Sequence, residues 1–313
     1  MIRTAGKGAI HFTAPANDGR ESGSGASGWF GPEGYDRVHF RRYLRFAADY
    51  DQGNLNHVGG GLAAVAGADR WRAMGSAGIR PKGEDHFNSS FEPWRAWGRY
   101  PAPGYMFLYT YWMDMQRDPD GHFWGNMLGP DEEERITLRR DRWYCLEHMI
   151  QVNDVGKANG KLAAWIDGKL YIHYTGIRWR TSATVKLKRF DISVYVHQAR
   201  KDNTVWYDDV ALSTGYIGPK PEPETEPGAE PANRRVENPK AACPEAAVLA
   251  SHFECVQSNL KPDVLRRRGC TGISLLFRAP SFSMPPRGTA VTLSSNPLKE
   301  PHHGRKCQTR DEE

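Results

Sequence analysis

Arg189-Phe190-Asp191-Ile192-Ser193-Val194-Tyr195-Val196-His197 alternates without a break between polar and apolar side chains. Successive side chains of a strand point to opposite faces. Phe190, Ile192, Val194 and Val196 therefore share one face, and Arg189, Asp191, Ser193, Tyr195 and His197 share the other. A helix would scatter the same residues around its axis, so this stretch predicts a half-buried strand. The pattern recurs along the first two thirds of the chain. Val38 to Phe46 puts Val38, Phe40, Leu44 and Phe46 on one side and His39, Arg41, Tyr43 and Arg45 on the other, with Arg42 interrupting the apolar side. Trp143 to Asn153 groups Tyr144, Leu146, Ile150 and Val152, with His148 among them, and Val205 to Leu212 ends the series. Leu162 to Ile172 is divided by Ile166-Asp167-Gly168-Lys169, and Asp-Gly between two such runs signals a hairpin. The one helical candidate, Asp69 to Met74, is short and reads as a loop insertion. Many short alternating strands with so little helix predict an all-β, two-sheet antiparallel sandwich.

The alternation stops near residue 218. All ten Trp fall between Trp29 and Trp206, and all thirteen Tyr at or before Tyr216, whereas 13 of the 21 prolines come later. A segment so poor in large apolar groups gains little from burial to offset the entropy of ordering. The expected organisation is a folded domain over 1–218, a Pro/Glu-rich linker over 219–240 that opens with Pro221-Glu222-Pro223-Glu224, and a long, disordered C-terminal tail over 241–313.

Net charge is +5 from 42 basic and 37 acidic residues, with no basic stripe interleaved with aromatics. That balance is compatible with an anionic substrate and gives no support for nucleic acid. The four tail cysteines, Cys243, Cys255, Cys270 and Cys307, are too far apart and too irregular for a zinc module. No metal site or cofactor is expected, no run is apolar enough for a membrane span, and a monomer is expected. No secretion signal is visible, which leaves the compartment undetermined.

A second stretch bears on function. Gly104-Tyr105-Met106-Phe107-Leu108-Tyr109-Thr110-Tyr111-Trp112 places Tyr105, Phe107, Tyr109 and Tyr111 on one strand face. Three phenols on one face are more polar than an ordinary core tolerates, because each buried hydroxyl needs a partner. The pattern suits a groove that stacks sugar rings and moves protons; an aromatic cluster at the edge of the core is the plainer alternative.

Taken in order, several segments resemble the concanavalin A-like jelly-roll polysaccharide lyases, above all family 14, which cleaves alginate and glucuronan. They are Tyr43 to Asp51, the Gly-rich His57 to Leu62, Phe87-Asn88-Ser89-Ser90-Phe91, Tyr109-Thr110-Tyr111, Trp143 and Glu147 leading to Asn153, Asn159-Gly160-Lys161, Trp165 to Gly168, Tyr195-Val196-His197-Gln198, and Trp206 to Asp209. The resemblance spans roughly residues 8 to 215. Its Asn-Gly and Asp-Gly elements are common to jelly rolls, and the Tyr-x-Tyr strand is the more specific feature. The family also carries a Lys in the Gly-rich segment, where His57 is the nearest cationic side chain here. Its Ser-x-Arg strand appears only as Ser89-Ser90-Phe91-Glu92.

The resemblance implies cleavage of a uronate-containing, anionic polysaccharide by β-elimination. Such an enzyme neutralises the uronate carboxylate, removes the proton beside it and protonates the departing glycosidic oxygen. The implied catalytic set is Tyr109, Tyr111, His57 and His197. Arg45, Ser89, Tyr105, Arg189, Tyr195 and Gln198 are the implied substrate-binding residues. A phenol with an ordinary pKa near 10 needs positive charge beside it to act as a base. The competing readings are a non-catalytic carbohydrate-binding jelly roll and a hydrolase. The hydrolase lacks its signature, because jelly-roll glucanases carry Glu-x-Asp-x-x-Glu on one strand and no such motif occurs here. Glu147, Asn153 and Asp167 read as architectural, and His148 as a core histidine.

Overall fold

In the computed structural model, residues 8–221 and 253–258 are described. Thirteen strands follow one another up to residue 213: β1 Ile10–Ala14, β2 Ser22–Trp29, β3 Arg37–Phe46, β4 Asn56–Val58, β5 Gly61–Val65, β6 His86–Trp94, β7 Tyr105–Tyr111, β8 Asn126–Leu128, β9 Trp143–Gln151, β10 Gly160–Ile166, β11 Lys169–Ile177, β12 Lys186–Val196 and β13 Asn203–Ser213. They form two antiparallel sheets. The first has the order β1-β13-β3-β9-β10-β11, and the second runs β2-β12-β5-β6-β7-β8 with β4 also paired to β12. Among the described residues, the only helix is a single 3-10 turn at Glu132–Glu134. Asp69 to Met74 is a turn inside the β5–β6 loop.

The faces follow the alternation in the sequence. Phe190, Ile192, Val194 and Val196 are buried between the sheets with Phe40, Leu44, Phe46, Leu146, Ile150, Leu62, Phe87, Phe91, Met106 and Leu108. Asp167 (φ 50°) and Gly168 (φ 80°) form the left-handed turn that joins β10 to β11. Arg42, which interrupts an otherwise apolar face, is fully buried between the sheets. Its guanidinium donates to the carbonyls of Gly59, Gly60 and Phe91 and to Nδ1 of His148 at 3.0 Å. His148 is itself fully buried, and burial beside Arg42 holds its pKa well below the ordinary value, so it accepts as a neutral ring. The expected core histidine is thus the acceptor that lets the core hold an arginine.

The outer face of the first sheet is covered by the chain that follows β13. Glu147, 1% exposed, accepts from the backbone N–H groups of Ile217 (3.1 Å) and Gly218 (2.8 Å) and pairs with Nδ1 of His39 at 2.8 Å. Lys220 N–H donates to the Tyr43 hydroxyl at 2.9 Å. Residues 217–220 therefore pack as part of the sandwich. The expected linker lies mostly outside the described residues, and so does the expected tail except for Phe253–Ser258. That segment is a fourteenth strand, antiparallel to β2 at the edge of the second sheet.

Candidate active site

The outer face of the second sheet carries the residues of the expected groove, and register decides which side chains lie side by side. Tyr195 lies opposite His57, Ser90 opposite Tyr109, and Asn88 opposite Tyr111. His57 is brought beside β12 by the short β4, and the turn after it is made by Gly59 (φ 108°) and Gly60 (φ 89°). A β-carbon on Gly60 would fall 2.0 Å from the Asp191 carbonyl oxygen, so the turn admits only glycine there. From beneath, Tyr207 of the opposite sheet holds this turn. Its hydroxyl accepts from Gly59 N–H at 2.9 Å and donates to the Ser193 carbonyl.

His57 is the hub of the floor. Its ring centroid lies 5.2 Å from that of Tyr109, 5.5 Å from His197 and 6.0 Å from Tyr195. Tyr195 and His197 are 5.1 Å apart, and the hydroxyls of Tyr109 and Tyr111 lie 3.3 Å apart. Four expected catalytic residues and Tyr195 are thus neighbours on one surface. Loops bound the groove at one end, where Phe123 N–H meets the Gly78 carbonyl at 3.0 Å and Gly125 packs against the Tyr109 ring.

Sequence reasoning missed Glu92. Its carboxylate is 3% exposed and meets Nδ1 of His57 at 3.1 Å, while the His57 side chain keeps 42% of its surface open. That bond fixes the ring and leaves Nε2 for a ligand. Burial opposes charge on His57, but the charge and hydrogen bond of Glu92 outweigh it and raise the pKa. Burial likewise raises Glu92, partly offset by His57. Burial pushes Tyr109 far up, reinforced by Tyr111, so this phenol stays protonated. Tyr195 is pushed up to about 12, by burial and then by the charge and hydrogen bond of Glu21. His197 moves the other way, since burial and the neighbouring His57 both disfavour its charged form. Parity could have found Glu92, along with Asn88 and Ser90, because all three share one face of β6.

Five expected substrate-binding residues lie elsewhere or are covered. Ser89 is fully buried on the core side, where its hydroxyl meets that of Thr110 at 2.8 Å; Ser90 is the serine on the groove face. Arg45 belongs to the first sheet, pairs with Asp141 and lies over the Trp206 ring. Arg189 is on the groove face but 2% exposed, tied to Asp191 at 3.2 Å, to the Arg70 carbonyl at 2.7 Å and to the Trp71 ring by the β5–β6 loop. Tyr105 is 4% exposed, with the Arg135 guanidinium 4.5 Å above its ring. Gln198 lines a separate surface pocket of about 450 Å³ with Asp51, Asn54, Arg95, Arg200 and Lys201, just beyond His197. Ser89 has the parity of the core residues Phe87 and Phe91; for the others, a strand gives parity but not which sheet it joins or which loop folds over which end. Among the described residues, no group of three or more His, Cys, Asp or Glu is placed to hold a metal, and no helix is long and apolar enough to cross a membrane.

Residues 20–197 match the family Polysaccharide lyase 14. No curated protein matches the sequence. Among solved structures, the chain is similar to an alginate lyase from Chlorella virus (15% identity, TM-score 0.49, covering 68% of this chain and 87% of that one). It is also similar to an endo-β-1,4-glucuronan lyase from the fungus Trichoderma reesei (16%, TM-score 0.41, 68% and 84%) and to an alginate lyase from Aplysia kurodai (17%, TM-score 0.44, 59% and 72%).

Proposed function

The chain belongs to the polysaccharide lyase 14 family, and on that premise we propose that it cleaves a uronate-containing polysaccharide by β-elimination in the groove around His57. The observation that carries this reading is the convergence of two phenols and two imidazoles of opposite protonation tendency on one sheet face, with Tyr111 itself buried. Elimination needs a base for the proton α to the carboxyl, an acid for the departing oxygen, and a donor for the charge that develops on the carboxyl oxygens. His197, held neutral at neutral pH, suits the base. Tyr109, held protonated and bonded to Tyr111, suits the acid. His57, oriented by Glu92, offers Nε2–H to the carboxyl. This allocation departs from a phenolate base, because among the described residues no lysine or arginine acts on Tyr109 to lower its pKa.

The test is incubation with alginate, glucuronan and other polyuronates while following the ultraviolet absorbance of the unsaturated uronate. Absorbance should grow with wild type and fall by ~10²–10⁴-fold in Tyr109→Phe, the range for loss of one proton-transfer group, with folding nearly unchanged. Saturable glycan binding without absorbance from any polymer would replace this reading with the binding-module one.

A further inference from the structure

The strands that place the His57 cluster also build what lies beyond it. β12 ends at Val196 and leads through His197 to Gln198. β6 carries Glu92 and leads to Arg95. β4 carries His57, and Asn54 precedes it. β12 runs antiparallel to β4, and β12 and β6 both run antiparallel to β5, so these three continuations leave the second sheet at one end. There Gln198, Arg95 and Asn54 line one pocket of about 450 Å³ with Asp51, Arg200 and Lys201. Consecutive Cα atoms lie about 3.8 Å apart, less than the length of a pyranose unit, so the pocket begins within one sugar of His197. Its lining is basic, with three cations and one carboxylate, and two of the cations are engaged. Arg95 pairs with Asp51 at 2.8 Å and donates to the carbonyls of Gly53 and Tyr100, both at 3.2 Å. Lys201 pairs with Asp49 at 2.5 Å. Arg200 is exposed, its stem runs past Gly19, and among the described residues its guanidinium meets no carboxylate. With Asp49 counted, the lining and its direct partners still set three positive charges against two negative ones.

We propose that this pocket is a second sugar subsite, in which Arg200 receives the free carboxylate of the uronate next to the one held at His57. The inference rests on the lyase reading above and extends it from the reacting sugar to its neighbour. A guanidinium is planar and presents its N–H groups as a fork, which matches the two oxygens of a carboxylate. The Arg95–Asp51 pair, bonded to backbone on both sides, gives that ligand a fixed wall, and the exposed Gln198 amide stands between the pocket and His197. Arg200 is a binding residue and moves no proton, because a guanidinium stays charged. It holds a sugar that does not react, so it grips the ground state and the transition state alike. Such a contact lowers KM and leaves kcat where it was.

The experiment measures KM and kcat of the full chain on whichever of alginate and glucuronan it cleaves, at neutral pH and low ionic strength, where charge effects are least screened. Arg200→Gln should raise KM by ~10-fold, the scale of one hydrogen-bonded charge contact, with kcat nearly unchanged. Arg200→Lys, which keeps the charge and loses the fork, should recover part of that loss. Lys161→Gln removes one charge from an exposed position on the first sheet and should leave KM as it was. A KM unchanged in Arg200→Gln overturns the proposal and leaves the lyase reading standing. So does a fall in kcat alone, or an equal rise in KM in Lys161→Gln, which would report net charge and not a site. If no polyuronate gives product, the lyase reading fails, and affinity electrophoresis against the same two polymers decides the subsite. Retardation weakened in Arg200→Gln and kept in Lys161→Gln supports it. Equal retardation of the two variants, or none of wild type, ends it.

Discussion

Tyr207→Phe removes one oxygen from the core and tests how the site is held. Tyr207 belongs to the first sheet and is fully buried, yet its hydroxyl reaches the second sheet at the turn that carries His57. Two hydrogen bonds disappear: one accepted from Gly59 N–H and one donated to the Ser193 carbonyl. Each bond is worth about 1 kcal/mol net, and a buried partner left unsatisfied costs about 1–3 kcal/mol. Relief is partial, because Gly59 N–H also points at the Ser193 carbonyl at 3.3 Å and can keep that weaker bond. The expected loss is therefore about 2 kcal/mol, which in a domain of this size lowers the melting temperature by roughly 4–8 °C. Urea unfolding followed by tryptophan fluorescence should show a lower midpoint with an unchanged slope. Turnover should fall with it, because the His57 turn loses its support from below. A stability change under about 0.5 kcal/mol, the range of an exposed substitution, would refute the reasoning.

Ring NMR should show His57 titrating above the ordinary histidine value of about 6.5 in wild type and below it in Glu92→Gln, where burial acts unopposed. Because the pair raises the folded-state pKa of His57, its stabilising contribution is fully present below about pH 6.5 and is lost as pH rises through the folded value; Glu92→Gln should flatten that part of the stability profile. Ser89→Ala should cost about 1 kcal/mol of stability through the lost bond to Thr110, whose hydroxyl keeps only its 3.3 Å bond to the Leu108 carbonyl, whereas Ser90→Ala should leave stability nearly unchanged and act on KM. A chain ending at Pro221 should be more stable than one ending at Tyr216 by about 2 kcal/mol, since the shorter one strips two N–H donors from the buried Glu147 carboxylate; equal melting temperatures would contradict this.

Strand periodicity is a local property of the sequence, and it carried the fold a long way. Phe190, Ile192, Val194 and Val196 had to face one way and Asp191, Ser193, Tyr195 and His197 the other, whatever sheet they joined. Tyr109 and Tyr111 had to share a face for the same reason, and Asp167-Gly168 had to turn. What parity cannot supply is which strands are neighbours, which sheet a strand joins, and which loop covers which end. Those depend on contacts between residues far apart in the chain. Arg45 has the same alternating setting as Tyr195 but belongs to the other sheet. Arg189 shares a face with Tyr195 but lies under the β5–β6 loop. Parity groups Ser89 with the core residues Phe87 and Phe91 and separates it from Ser90, but only pairing with β7 puts Ser90 beside Tyr109. His57 and Glu92 are 35 residues apart, and only the pairing of β4 with β12 beside β6 makes them one hydrogen-bonded unit. The sequence by itself therefore determined the strand faces, and with them that Tyr109 shares a face with Tyr111 and Tyr195 with His197. The tertiary structure alone decided that a buried carboxylate stands behind the central imidazole, because long-range strand pairing brings charges together that no local pattern links.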